Sequence, residues 1–208
     1  MTFDSYCMKF EEGCNSGQHN TYSETHQGEG SHYINSVGQF NYHCTPPSRI
    51  DADFRRLHDE IRNNVTREVI DDLREYETLP DGMSGLEQVL NDSGFTQKDI
   101  KWALSKEEQY ARKAIRYGCY PSAQEINLLL FGEIRSKFDR YIFPRIKEGL
   151  AIDAALQCLE EFVVSPIVRK LNEYGEHDED LRYTSDHIYG MAFRLTGLSF
   201  LCWKDENI

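Results

Sequence analysis

No apolar run in the 208 residues approaches the ~20 positions that cross a bilayer, which excludes a membrane-spanning helix. The start, Met1-Thr2-Phe3-Asp4-Ser5-Tyr6, has neither the basic residues nor the apolar stretch of a secretory signal, so a cytoplasmic location is expected. Positive charge is short as well: 23 Lys and Arg stand against 35 Asp and Glu, a formal net charge of −12. Binding a phosphate backbone takes clustered cations, so nucleic acid is not expected as a direct partner. Arg55, Arg56, Arg62 and Arg67 do crowd one predicted helix, but Asp51, Asp53, Asp59 and Glu60 interleave with them into a mixed-charge surface. Cysteines are few and scattered, at 7, 14, 44, 119, 158 and 202, and do not form a disulfide framework.

Catalytic patterns are equally scarce. Gly28-x-Gly30 and Gly82-x-x-Gly85 lack both the strand-to-helix setting and the following Lys-Ser/Thr of a phosphate loop. Cys119 and Cys202, the thiols that a base at His187 would need, sit in no nucleophile elbow, and Cys202 between Leu201 and Trp203 reads as a packed core thiol. Glu160-Glu161 and the run Glu176 to Asp180 could do acid–base work only where a pocket shifts their pKa values apart. They read instead as a solvated helix face and an exposed acidic loop. No enzyme is expected, and no cofactor.

What is present suits a globular protein: 39% hydrophobic and 28% charged residues, in a chain with room for one domain and an appendage. The division falls near Cys44-Thr45-Pro46-Pro47-Ser48, giving a segment 1–47 and a helical domain 48–208. The fold class is therefore mainly α, with a short Gly/Asn-rich β-type appendage at the N-terminus.

Between Gly28 and Tyr42 the appendage alternates like short strands, with glycine breaks. Strands this poor in aliphatics cannot bury enough surface alone, so they either stay flexible or pair between copies. Tyr22, Tyr33, Ile34, Val37, Phe40 and Tyr42 are the expected oligomerisation residues. The same segment holds candidate zinc ligands in Cys7, Cys14, His19, His26, His32, His43 and Cys44. Their spacing contains no C-x2-C or H-x3-H pair, and solvent-facing histidines are the simpler reading.

From Ser48 onward the apolar period is helical. Ile50, Phe54, Leu57, Ile61, Val65, Val69, Leu73 and Tyr76 form one stripe on a predicted long helix ended by Pro80-Asp81-Gly82. Ser84 is read as the cap of a short helix ending at Ser93-Gly94. Thr96 opens the next, closed by Tyr117-Gly118, and Ser122 caps an apolar helix broken before Pro144. Ile152 to Val164 and Ile167 to Tyr174 follow, interrupted around Pro166. A last helix from Ser185-Asp186 carries Ile188 to Leu195. The chain then continues apolar through Leu198-Ser199-Phe200-Leu201-Cys202-Trp203, a stretch that must dock on the fold to be ordered.

Three blocks of this domain carry a resemblance. They are Tyr120-Pro121-Ser122-Ala123-Gln124-Glu125-Ile126, the stretch Tyr141-Ile142-Phe143-Pro144-Arg145-Ile146-Lys147-Glu148-Gly149, and Ile188 to Asp205 with its Gly-Met-x-Phe-x-Leu-Thr-Gly order. Together they resemble the C-terminal domain of effectors in bacterial ABC-three-component anti-phage defence systems, over roughly Ile50 to the end. The chain departs from the pattern at Leu198 and from Ser199 to Leu201, where that family has a more polar Asn-Cys-His-type run.

The resemblance implies a non-enzymatic interaction and oligomerisation module. In such systems this domain tethers an effector to an SMC- or Rad50-like ABC ATPase and a middle component. Trp203 beside the charged Lys204-Asp205-Glu206 reads either as an interface anchor or as a core cover for the last helix, and with Phe200 and Tyr189 it makes the set of candidate partner contacts. The chain itself is a further expected partner, in a homo-oligomer through the appendage. A nuclease or protease usually precedes the domain in these effectors and does not here, so a stand-alone adaptor, or a toxic activity residing in a partner, is expected. The alternative is a small metal-dependent effector that uses the Cys/His-rich N-terminal segment.

Overall fold

The computed structural model describes residues 49–74, 76, 85–175 and 177–204, and among these residues every regular element is a helix. The chain after Ser48 is therefore mainly α, as expected. In order the elements are α1 (Arg49–Asn63), α2 (Asp71–Arg74), α3 (Leu86–Asp92), α4 (Gln97–Tyr117), α5 (Pro121–Tyr141), α6 (Phe143–Lys147) and α7 (Ile152–Leu159). A π-helical segment (Glu160–Val164), α8 (Ser165–Tyr174) and α9 (Ser185–Gly197) complete them. The β-type appendage lies outside the described residues.

The expected long first helix is two pieces. Asn64 has φ 51°, and its neighbours close the α1 terminus: Val65 N–H donates to Glu60 O at 2.9 Å and Asn64 N–H to Ile61 O at 3.3 Å. Asn tolerates the left-handed conformation that such a closure demands, so Asn64 stops a helix whose apolar period runs on. Val65 is consequently 50% exposed, while Leu73 is buried from α2. Ser122, expected as a cap, sits inside the first turn of α5. Tyr120 holds the cap position, Pro121 fills the N1 site that needs no N–H, and Ser122 is free to bond elsewhere. Gly85 takes the cap position of α3, and Ser84 lies outside the described residues.

Thr96 does cap α4, accepting the Asp99 N–H at 3.2 Å, and Gly94 at φ 83° closes α3. The interruption near Pro166 falls just upstream of it, as the π segment. A proline at 166 has no N–H and crowds the carbonyl four residues back, and a widened turn over Glu160–Val164 relieves both conflicts while keeping the rod continuous.

The last helix is the centre of the packing. α4 lies along α9, and α3, α5, α8 and the π segment also contact it. Ile188, Met191, Ala192, Phe193, Leu195 and Thr196 are all buried, leaving little polar face, as befits a core helix. At Gly190 the backbones of α9 and α4 nearly touch: a Cβ there would stand 2.3 Å from Lys106 O and 2.6 Å from Tyr110 Cβ. At Gly197 a Cβ would stand 3.2 Å from Leu86 Cβ of α3, a tight contact and not a collision.

After Gly197 the chain reverses. Ser199 has φ 61°, its N–H donates to Thr196 O at 2.9 Å, and Phe200 N–H donates to Leu195 O at 2.9 Å. These paired bonds close the helix and aim Leu201 and Trp203 back into the core. The Trp203 indole donates to Thr196 Oγ1 at 2.9 Å, and its ring meets Phe95 and Phe138 edge-on at 5.1 and 5.0 Å.

Candidate functional site

The candidate metal ligands Cys7, Cys14, His19, His43 and Cys44 lie outside the described residues, as do the oligomerisation candidates Tyr22, Tyr33, Ile34, Val37, Phe40 and Tyr42. Among the described residues no group of three or more His, Cys, Asp or Glu side chains is placed to hold a metal ion.

The three predicted partner contacts sit in different surroundings. Trp203 is 2% exposed and covered by the chain reversal. Phe200 is half-buried, 5.1 Å from the Tyr76 ring, with the Arg135 guanidinium 5.0 Å above it. Tyr189 is half-buried, donates to Glu160 Oε2 at 2.6 Å and packs against the edge of Trp102 at 4.8 Å. Burial, then the hydrogen bond and charge of Glu160, push the Tyr189 phenol well above its ordinary value.

Most titratable groups that drew notice in the sequence serve the fold. Glu160 accepts from Tyr189 and from Ser165 Oγ at 2.5 Å, so it is tied into the helix junction rather than lying on a solvated face. His187 Nδ1 accepts the Thr184 N–H at 3.2 Å and holds the first turn of α9, while burial and then the Lys113 charge lower its pKa. The acidic loop is folded onto α1 rather than exposed. His177 Nδ1 is 2.9 Å from Asp51 Oδ1, and His58 Nδ1 is 3.3 Å from Asp180 Oδ2.

Within that loop Asp178 accepts from the backbone of Arg182, Leu181 and Tyr183. Burial raises its pKa against these bonds. Next to it the Lys113 ammonium donates to Leu181 O, and the buried Tyr183 hydroxyl donates to Asn127 Oδ1 at 2.6 Å. Desolvation lowers the pKa of Lys113 and raises that of Tyr183 well above the usual phenol. Sequence spacing carries no sign of this cluster, because its members come from α4, α5 and the loop before α9.

Residues of α2, α4, α5 and α9 line an open, mainly apolar pocket of ≈ 350 Å³. Leu73, Tyr76, Tyr110 and Phe131 wall it, and Asn127 and Arg194 are its polar members. Tyr76 stacks on Phe131 at 5.0 Å, and Arg194 is fixed by Glu107 at 3.1 Å and by Tyr76 O. Ile115 lines the same pocket yet is 84% exposed. Periodicity alone hides this, since Ile115 falls on the apolar stripe of α4 one turn after Ala111 and reads as core.

A family model described as C-terminal domain 9 of the ABC-three component (ABC-3C) systems matches residues 85–203, more than half of the chain. No curated protein and no solved structure matches it. The chain belongs to the C-terminal domain 9 family of the ABC-three component defence systems.

Proposed function

We propose that, as a member of this family, the chain works as a non-enzymatic interaction module that tethers an effector activity to the SMC/Rad50-like ABC ATPase and middle component of its system. The observation that carries this reading is Ile115, a large aliphatic side chain 84% exposed at the mouth of an open apolar pocket. Exposed aliphatics beside a concave apolar wall are where protein partners gain most from desolvation. The distinctive residues of the last helix and of the stretch after it support it from the other direction: Gly190, Thr196, Gly197 and Trp203 serve packing, which leaves function to the surface.

The test is co-expression of the intact chain with the ATPase and the middle component of its own system, and measurement of complex mass and affinity. Wild type is expected to bind at least one of them. Ile115→Asp, which alters an exposed side chain, is expected to weaken that complex about tenfold or more while the melting curve stays in place. A wild-type chain that binds neither component refutes the tether.

A further inference from the structure

Where α5, α6 and the π segment meet, two arginines flank a stacked pair of rings in a ladder. The Arg140 guanidinium lies 5.3 Å over the Tyr141 ring, Tyr141 stacks on Phe162 at 5.6 Å with 25° between planes, and the Arg145 guanidinium lies 4.7 Å over Phe162. Lys147 adds a third cation 4.7 Å over Phe143. All three cations are exposed.

Their electrostatic setting differs from that of neighbouring cations. Lys137 and Lys170 both reach Glu133, at 3.9 and 2.7 Å. Arg140, Arg145 and Lys147 pair with no carboxylate among the described residues. Arg145 donates from Nη1 to the weak acceptor Cys158 Sγ at 3.3 Å, and the other N–H groups of the two exposed guanidiniums match the geometry of a carboxylate. Stacking has already restricted these side chains, so less freedom is lost when a carboxylate arrives. Arg140 also lines a shallow open depression with Arg135 and Gly132, where the missing side chain leaves room beside the arginines.

We propose that this face docks an acidic segment of another protein of the same system, with Arg140 and Arg145 each receiving a carboxylate. This rests on the tether reading above and names the surface and the chemistry of one partner. The exposed Asp139 and Glu148 interrupt the cations and repel a continuous phosphate backbone, which favours a protein over nucleic acid. A second copy of the chain is disfavoured because each carries a net charge of −12.

The experiment measures affinity of the full chain, wild type and R140E/R145E, for the purified ATPase and for the purified middle component. It is done at low and high salt, with a 20-base-pair DNA duplex as a third probe and with the mass of each form alone measured by light scattering. The expected result is a loss of about tenfold or more for one protein component at low salt, narrowing at high salt, with no DNA binding by either form. R140K/R145K keeps the charge and guards against a folding artefact, and it is expected to retain more affinity than the glutamate variant.

Equal binding by wild type and R140E/R145E overturns the proposal and leaves the tether intact. DNA binding that the reversal abolishes, with protein binding unchanged, overturns it in favour of nucleic acid. Loss of self-association with protein binding unchanged overturns it in favour of a second copy. Failure of wild type to bind either component removes the tether reading itself.

Discussion

Two interfaces inside the domain both bury apolar side chains and differ in what surrounds them. Between α9 and α4 the contact is close and nearly dry. Gly190 brings the backbones together, Phe193 meets Trp102 edge-on at 5.3 Å, and Met191 and Leu195 are fully buried. Between α1 and α5 the buried Ile50, Phe54 and Leu57 are bordered by a polar seam that runs on into the loop before α2. Glu60 accepts both the N–H and the hydroxyl of Ser122, at 2.9 and 2.7 Å. Gln124, itself fully buried, accepts from Ile70 N–H and donates to Gly118 O and Glu68 O. Arg67 reaches Glu125 at 3.2 Å.

The family match covers the first interface whole and begins only at residue 85, past α1 and α2. Close packing requires particular small residues at fixed places, and that leaves a legible pattern. A seam made of hydrogen bonds can be assembled from many residue types, so α1 and α2 read as a flank docked onto the family core.

The sharpest way to break that comparison is Gly190→Ala. The new methyl would collide with a backbone carbonyl, which cannot swing aside, so a loss of about 3 kcal/mol is expected by urea denaturation. Gly132→Ala in the exposed middle of α5 is its control: nothing lies within 4 Å, and stability is expected to hold or rise. Equal losses at the two sites would mean that close approach of α9 to α4 is not what Gly190 provides.

Next in size is Glu60→Gln, which leaves one acceptor where two are needed and weakens a charge-assisted pair. The expected cost is about 1–2 kcal/mol. The informative readout is where it falls. Amides of α1 and α2 are expected to exchange faster while those of α9 keep their protection. Uniform loss of protection would make the seam and the core one cooperative unit.

Much of the helical frame was legible because it is written locally. Thr96 with Asp99 three residues on, Gly94 after Ser93, and Pro144 after Tyr141 each act through their own backbone neighbourhood, and each marks an element boundary where expected. Asn64 was not legible as a stop, because the apolar stripe continues past it and a left-handed Asn leaves no mark on periodicity. Ser122 misled for a related reason: its bonds go to Glu60, 62 residues earlier, and no local pattern reports a partner that distant.

The candidate site was the least legible part. Tyr189 and Phe200 lie in the block that carries the resemblance, but Ile115 and the Arg140–Arg145 ladder depend on which side of a helix the rest of the fold leaves uncovered. Trp203 shows the converse. Charged neighbours in sequence suggested a surface aromatic, and the reversal at Ser199 turns it inward.

The smallest expected effect concerns charge in the seam. Asp53 is buried on α1, bonded to the Arg56 guanidinium through Oδ1, while Oδ2 has no hydrogen-bond partner. Burial raises its pKa above 3.8 despite the Arg56 and Arg49 charges. Between the unfolded value and that raised value the folded chain holds a proton that the unfolded chain has lost. Stability therefore falls as pH rises through the window and recovers on acidification. Asp178 shifts the same way.

Asp51 runs opposite. Burial raises its pKa, but the hydrogen bonds from His177 and Arg55 outweigh that and leave it lowered, so its contribution is present above 3.8 and lost below. The contribution of Asp53 is therefore read by comparing wild type with a variant as pH falls from 7 toward the carboxylate range. Asp53→Asn, which cannot ionise and loses only an exposed arginine's pairing, is expected to gain less on acidification. Parallel pH curves for the two proteins would show that Asp53 is already neutral at pH 7 or solvated in the folded chain. In either case the seam would carry no buried charge for the close-packed core to be contrasted with.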